Sequence, residues 1–86
     1  MKEMARFQEP LMPLSIAKPG ERLIIRDIIG GRGITERLLS MGIRIGDKIE
    51  VISNMGFGRL IIAKDQIRIA VGRGVANKIL VSKTED

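Results

Sequence analysis

Apolar and polar residues alternate with period two along most of the chain, and only one stretch departs from that rhythm. From Arg22 to Ile29, Leu23 and Ile25 fall on one face and Ile24, Arg26 and Ile28 on the other, which predicts a strand. Lys48 to Ser53 alternates as a half-buried antiparallel strand, with Ile49 and Val51 on one side and Lys48 and Glu50 on the other. Leu60 to Ala63 and Gln66 to Val71 read as a tight hairpin about Lys64-Asp65, with Ile67, Ile69 and Val71 pointing one way and Gln66 and Arg68 the other. Ile79 to Ser82 is a last strand, and Leu14 and Ile16 suit a short edge strand. Lys18-Pro19-Gly20-Glu21 is a turn, because Pro presets φ and Gly supplies the positive φ that follows.

The period changes at Ile34. Ile34, Leu38 and Met41 lie at i, i+4 and i+7 with Leu39 beside them, one apolar stripe on a two-turn helix. Thr35 or Gly33 is placed to cap its start, and Gly42 stands where a left-handed C-terminal residue is wanted. Gly72-Arg73-Gly74 reads as a break, with a helical turn over Val75 to Lys78 after it. Met55-Gly56-Phe57-Gly58 reads as a flexible loop. Five or six short strands with one or two short helices predict a mainly β domain, a small, partly open barrel. A sheet with one helix packed on a face is the competing layout. Residues 1–12, punctuated by Pro10 and Pro13, are expected to be a flexible extension, residues 13–83 the single domain, and residues 84–86 a frayed tail.

Composition narrows the chemistry. Fifteen of the 86 residues are Ile, which favours pleated surfaces. There is no Cys and no His. Disulfides, thiolate zinc sites, thiol nucleophiles and the commonest general base are therefore unavailable. Ser15, Ser40, Ser53 and Ser82 have no His to activate them, and no G-x-S-x-G turn is present. No enzymatic activity and no cofactor are expected. The acids Asp27, Glu36, Asp47, Glu50, Asp65, Glu85 and Asp86 are mostly interleaved with basic neighbours, which favours surface ion pairs over an iron site. Gly30-Gly31-Arg32-Gly33 lacks the Lys-Ser/Thr of a phosphate loop, so its glycines read as turn formers.

The net charge of +5 comes from fifteen Lys and Arg against ten Asp and Glu, scattered along the chain. A basic barrel gripping single-stranded nucleic acid is the main rival reading. Stacking platforms are nearly missing, however, since Phe7 and Phe57 are the only aromatics. No apolar run reaches the ~18 residues needed to span a bilayer. Charges at Lys2, Glu3, Arg6 and Glu9 interrupt any signal-peptide core, so a cytoplasmic location is expected. What remains is a protein-binding surface: Arg37, Leu38, Leu39, Met41, Gly42 and Arg44 put apolar anchors beside arginines on one helix–turn unit. Edge strands and an apolar patch permit a homo-oligomer without dictating its symmetry.

Five segments in order carry a family resemblance. These are Lys18-Pro19-Gly20-Glu21; Ile28-Ile29-Gly30-Gly31; Arg37-Leu38-Leu39-Ser40-Met41-Gly42-Ile43 with Gly46-Asp47; Ile67-Arg68-Ile69-Ala70; and Ala76 with Ile79-Leu80-Val81. Together they resemble the FeoA proteins of ferrous iron transport, over about residues 13–83. The resemblance implies an SH3-like barrel and an accessory or regulatory role. It also implies a partner, the FeoB-type membrane permease with a GTPase domain, through which the protein would meet the membrane. The same fold serves as the C-terminal domain of metal-dependent repressors, so a stand-alone relative of that domain is an alternative. Gly72-Arg73-Gly74 departs from the family's more polar helical turn, from which a loosened final helix is expected.

Overall fold

In a computed structural model of the chain, residues 10–84 are described. The proposed extension over residues 1–12 therefore lies mostly outside the described residues, as do the last two residues of the tail. Six strands form one antiparallel sheet: β1 (Met12–Pro13), β2 (Arg22–Ile28), β3 (Lys48–Ser53), β4 (Leu60–Lys64), β5 (Ile67–Val71) and β6 (Ile79–Lys83). Their order is β1-β6-β2-β3-β4-β5, so the last strand in sequence sits between the first two. Helix α1 (Gly31–Ser40) follows β2, and the single-turn helix α2 (Arg73–Ala76) joins β5 to β6. The sheet curls around one core without pairing β5 to β1, a mainly β, SH3-like and partly open arrangement.

The alternation read from the sequence sets the core. Leu23 and Ile25 of β2, Ile49 and Val51 of β3, Leu60 and Ile62 of β4, Val71 of β5, and Ile79 and Val81 of β6 are buried. Two bulges interrupt it. Between Ile25 and Asp27 the register against β6 slips, leaving Arg26 as the extra residue, and between Val51 and Ser53 the register against β4 slips at Ile52. A bulge moves later side chains to the other face and sharpens the strand's bend, as a small barrel requires. Ile28 was expected opposite Leu23 and Ile25, yet packs against the same core because the Arg26 bulge intervenes. Arg26 turns outward, and its Nε donates to Ser82 Oγ at 2.9 Å.

Three local expectations are corrected. The edge strand is Met12–Pro13, paired with Leu80 and Val81, while Leu14–Ile16 is a 3-10 turn. That turn drives Leu14 into the core and leaves Ile16 exposed. The hairpin turn is Asp65-Gln66, since Lys64 pairs with Ile67; Asp65 takes the left-handed conformation at φ 57°, which Asp tolerates. Helix α1 begins at Gly31, three residues before the apolar stripe, and no side chain caps it. Thr35 Oγ1 instead donates back to the Gly31 carbonyl at 3.0 Å.

Candidate functional site

The helix–turn unit singled out in the sequence is built on the end of α1. Gly42 adopts φ +90°. Its N–H donates to the Leu39 carbonyl at 2.9 Å, and the Ile43 N–H reaches back to the Leu38 carbonyl at 2.8 Å. These paired bonds are a Schellman cap, whose usual apolar contact here joins Leu38 and Ile43, both buried in the core. Leu38 therefore lies under the surface rather than on it. Met41 is half-buried against the core, while Leu39 is 50% exposed. Arg37, Gly42 and Arg44 are exposed. Ile45, which the sequence reading did not single out, is 56% exposed on the same turn. A single Ile between Arg44 and Gly46 carries no periodic signal that would mark it as outward.

The turn after the cap is fastened to the sheet. The Gly46 N–H donates to the Ile25 carbonyl at 2.7 Å, and the Asp47 carbonyl accepts from the Ile25 N–H at 2.9 Å. Asp47 Oδ2 accepts the Arg44 N–H at 2.7 Å and lies 3.0 Å from Lys64 Nζ. The same ammonium donates to the Gly42 carbonyl at 2.6 Å. Burial acts to raise the Asp47 pKa, but the Lys64 hydrogen bond, the Arg44 N–H and the charges of Lys64 and Arg44 outweigh it. The net result is an Asp47 carboxyl held below its ordinary value of 3.8. Leu39 and Ile45 are thus presented on a rigid scaffold, with arginines at positions 37 and 44.

A second constellation lies at the seam between the sheet's two edges, on residues read from the sequence as a break and a loop. Arg73 donates from Nε to the Gly58 carbonyl at 3.2 Å, from one terminal nitrogen to the Ser15 carbonyl at 3.0 Å, and from the other to Asn54 Oδ1 at 2.8 Å. Asn54 Nδ2 donates to the carbonyls of Ser15 and Ala17 at 2.9 and 2.7 Å. Asn54 Oδ1 also accepts the Gly56 N–H at 3.0 Å, and the Ser15 hydroxyl donates to Asn77 Oδ1. This network ties the 3-10 turn beside β1 to the helix after β5. It bridges the seam that strand pairing leaves open. The glycines expected to loosen the final helix flank its anchor: α2 forms from Arg73 to Ala76, and Arg73 lies between Gly72 and Gly74. The network borders an open groove of about 450 Å³, lined in part by Ile16, Lys18, Pro19 and Gly56.

Other chemistry finds no site among the described residues. No group of three or more Asp or Glu is placed to hold a metal ion. Ser40 Oγ donates to the Arg37 carbonyl at 2.7 Å, and Ser82 is buried beneath Arg26. Among the described residues no helix is long and apolar enough to cross a membrane.

Comparison with known proteins agrees with this architecture. A family model described as the FeoA domain matches residues 12–83. A protein of Methanocaldococcus jannaschii named putative Fe(2+) transport protein A is 47% identical over 75 residues, covering 87% of this chain and 90% of its own. The crystal structure of an iron uptake regulatory protein (FeoA) superimposes with a TM-score of 0.79 at 36% identity, over 87% of this chain and 99% of that one. A manganese-dependent transcriptional repressor aligns with a TM-score of 0.81 at 20% identity. It covers 90% of this chain but 44% of its own, a likeness of fold alone.

Proposed function

Because the chain belongs to the FeoA family of ferrous iron transport proteins, we propose that it is a cytoplasmic accessory protein that docks on a FeoB-type membrane permease through the end of α1 and the turn after it. The reading rests chiefly on one observation. Leu39 and Ile45 stay half or more exposed while the Schellman cap and the Asp47–Lys64 pair fix the backbone between them. A rigid apolar pair flanked by Arg37 and Arg44 suits an acidic-rimmed partner surface: the apolar anchors supply the central contact, and the guanidiniums fix register at its edge. Met41 and Leu38 act from beneath, as props for the exposed residues. The assembly needs no cofactor and no turnover by this chain.

Co-purification with the permease from native membranes tests the reading. Leu39→Asp and Ile45→Asp each place a charge on the proposed contact without entering the core. Each is expected to weaken capture at least tenfold, a typical cost for a buried interface anchor, with the circular dichroism unchanged. Unaltered capture by both variants would move the docking surface elsewhere.

A further inference from the structure

The opposite end of the barrel carries apolar residues that the permease reading does not use. Met55 and Phe57 in the β3–β4 connection are 72% and 71% exposed, and Ile16, across the groove from Asn54 and Gly56, is 62% exposed. These three side chains project into solvent, Met55 and Phe57 from the loop and Ile16 from the rim of the groove. The loop is also held in place. Gly56 and Gly58 take φ of +88° and +72° on either side of Phe57, a conformation that most residues with a Cβ resist. Asn54 and Arg73 then fasten the loop through the Gly56 N–H and the Gly58 carbonyl. Phe57 and Met55 therefore cannot relieve their exposure by folding back into the loop.

The surroundings are basic. Lys18 lines the groove, Arg59 follows the loop and is exposed, and Arg73 sits beneath it. Among the described residues no Asp or Glu lines the groove, and none lies between residues 54 and 59 in the sequence. Glu21 reaches this end but is occupied, accepting the Lys18 N–H at 2.7 Å and pairing with Lys83 Nζ at 3.6 Å. A protein partner would have to match the shape of these projecting side chains and the groove beside them. A fluid bilayer interface needs no shape complementarity, and its anionic headgroups match the Lys18 and Arg59 rim.

We propose that this end is a membrane-surface anchor: Phe57, Met55 and Ile16 enter the headgroup–acyl boundary of an anionic bilayer, with Lys18 and Arg59 on its phosphates. The anchor is independent of the permease contact and lies on different residues.

The chain has no Trp, so Phe57→Trp gives a single fluorescent reporter at an exposed site. With protein-free vesicles containing about one third phosphatidylglycerol, its emission is expected to shift to the blue and the protein to co-sediment. Phosphatidylcholine vesicles should produce neither effect. The combined Lys18→Gln and Arg59→Gln variant should bind less tightly, by roughly fivefold for each charge removed. Phe57→Ser combined with Met55→Ser should abolish sedimentation. An absent blue shift on anionic vesicles overturns the proposal, as does sedimentation that survives the double serine change, which would indicate charge attraction alone. A blue shift that grows with protein concentration in the absence of lipid overturns it too, by making a second copy the occupant. Because no permease is present, a negative result here leaves the docking on α1 untouched.

Discussion

Asp47 is a small residue with four tasks: its carboxylate accepts the Arg44 N–H and pairs with Lys64, its backbone carbonyl receives the Ile25 N–H, and it leads directly into β3. Its lowered pKa makes it a contributor to acid sensitivity. A carboxyl depressed in the folded state contributes stability that is complete above its unfolded value of 3.8 and is lost as pH falls through the lowered folded value. Acid unfolding of the native chain should therefore steepen below about pH 4, and Asp47→Asn should flatten that limb while lowering stability at neutral pH. Urea titrations from pH 7 to pH 3 measure both, and an unchanged acid limb in the variant would assign the sensitivity to other carboxylates. Lys64 matters at the same scale because one ammonium serves both the Asp47 carboxylate and the Gly42 carbonyl. It couples the cap of α1 to the edge of β4.

At the scale of elements, the two short pieces least like regular structure close the barrel. The 3-10 turn and α2 hold three and four residues, too few to be stable alone, and they persist through the bonds of Arg73 and Asn54. Arg73→Met keeps much of the stem and removes three donors. It should lower unfolding free energy by about 2 kcal/mol, from net values of about 1 kcal/mol per bond with some replaced by water. Arg59→Met, on an exposed neighbour, should change it little. Denaturant midpoints of the two variants make the comparison, and equal midpoints would mean that the seam is held by apolar packing instead. Elements built on periodicity were legible in the sequence: β2, β3, β4, β5 and the stripe of α1 all follow from where Ile, Leu and Val fall. The Schellman glycine was legible as well, because Gly42 follows the last apolar residue of a helix. The bulge at Arg26 was not, since an extra residue in a ladder is defined by its partner strand. The Arg73 anchor was missed for a related reason. Gly-Arg-Gly looks like a break until the carbonyls of Ser15 and Gly58 are brought beside it from elsewhere in the chain. The proposed docking residues had a composition cue in Arg37, Leu39 and Arg44, whereas Ile45 and Phe57 are marked only by their exposure in the fold.

The whole molecule presents distinct apolar features at its two ends, one near the end of α1 and one on the β3–β4 connection. Both sit among basic residues, consistent with the net charge of +5. Between them the core is continuous, from Leu14 through Leu38 to Val81, and no buried side-chain N or O among the described residues lacks a partner. Placing β6 between β1 and β2 has a consequence for how the chain is made. While a ribosome is still adding residues 79–83, β1 has no neighbour and β2 has only β3, so Leu23, Ile25 and Leu14 lack their cover. Native closure therefore waits for the last strand to clear the exit tunnel. The nascent chain up to that point carries an open sheet of isoleucine-rich strands. A chain truncated after Lys78 should fail to show cooperative unfolding in urea, and supplying residues 79–83 as a separate peptide should restore it at most weakly, because the entropy of joining two chains replaces that of closing one. Fully cooperative unfolding of the truncated chain would show that β2 to β5 can fold without it. Until β6 emerges, such a chain is a natural client for whatever shields hydrophobic strands at the tunnel mouth.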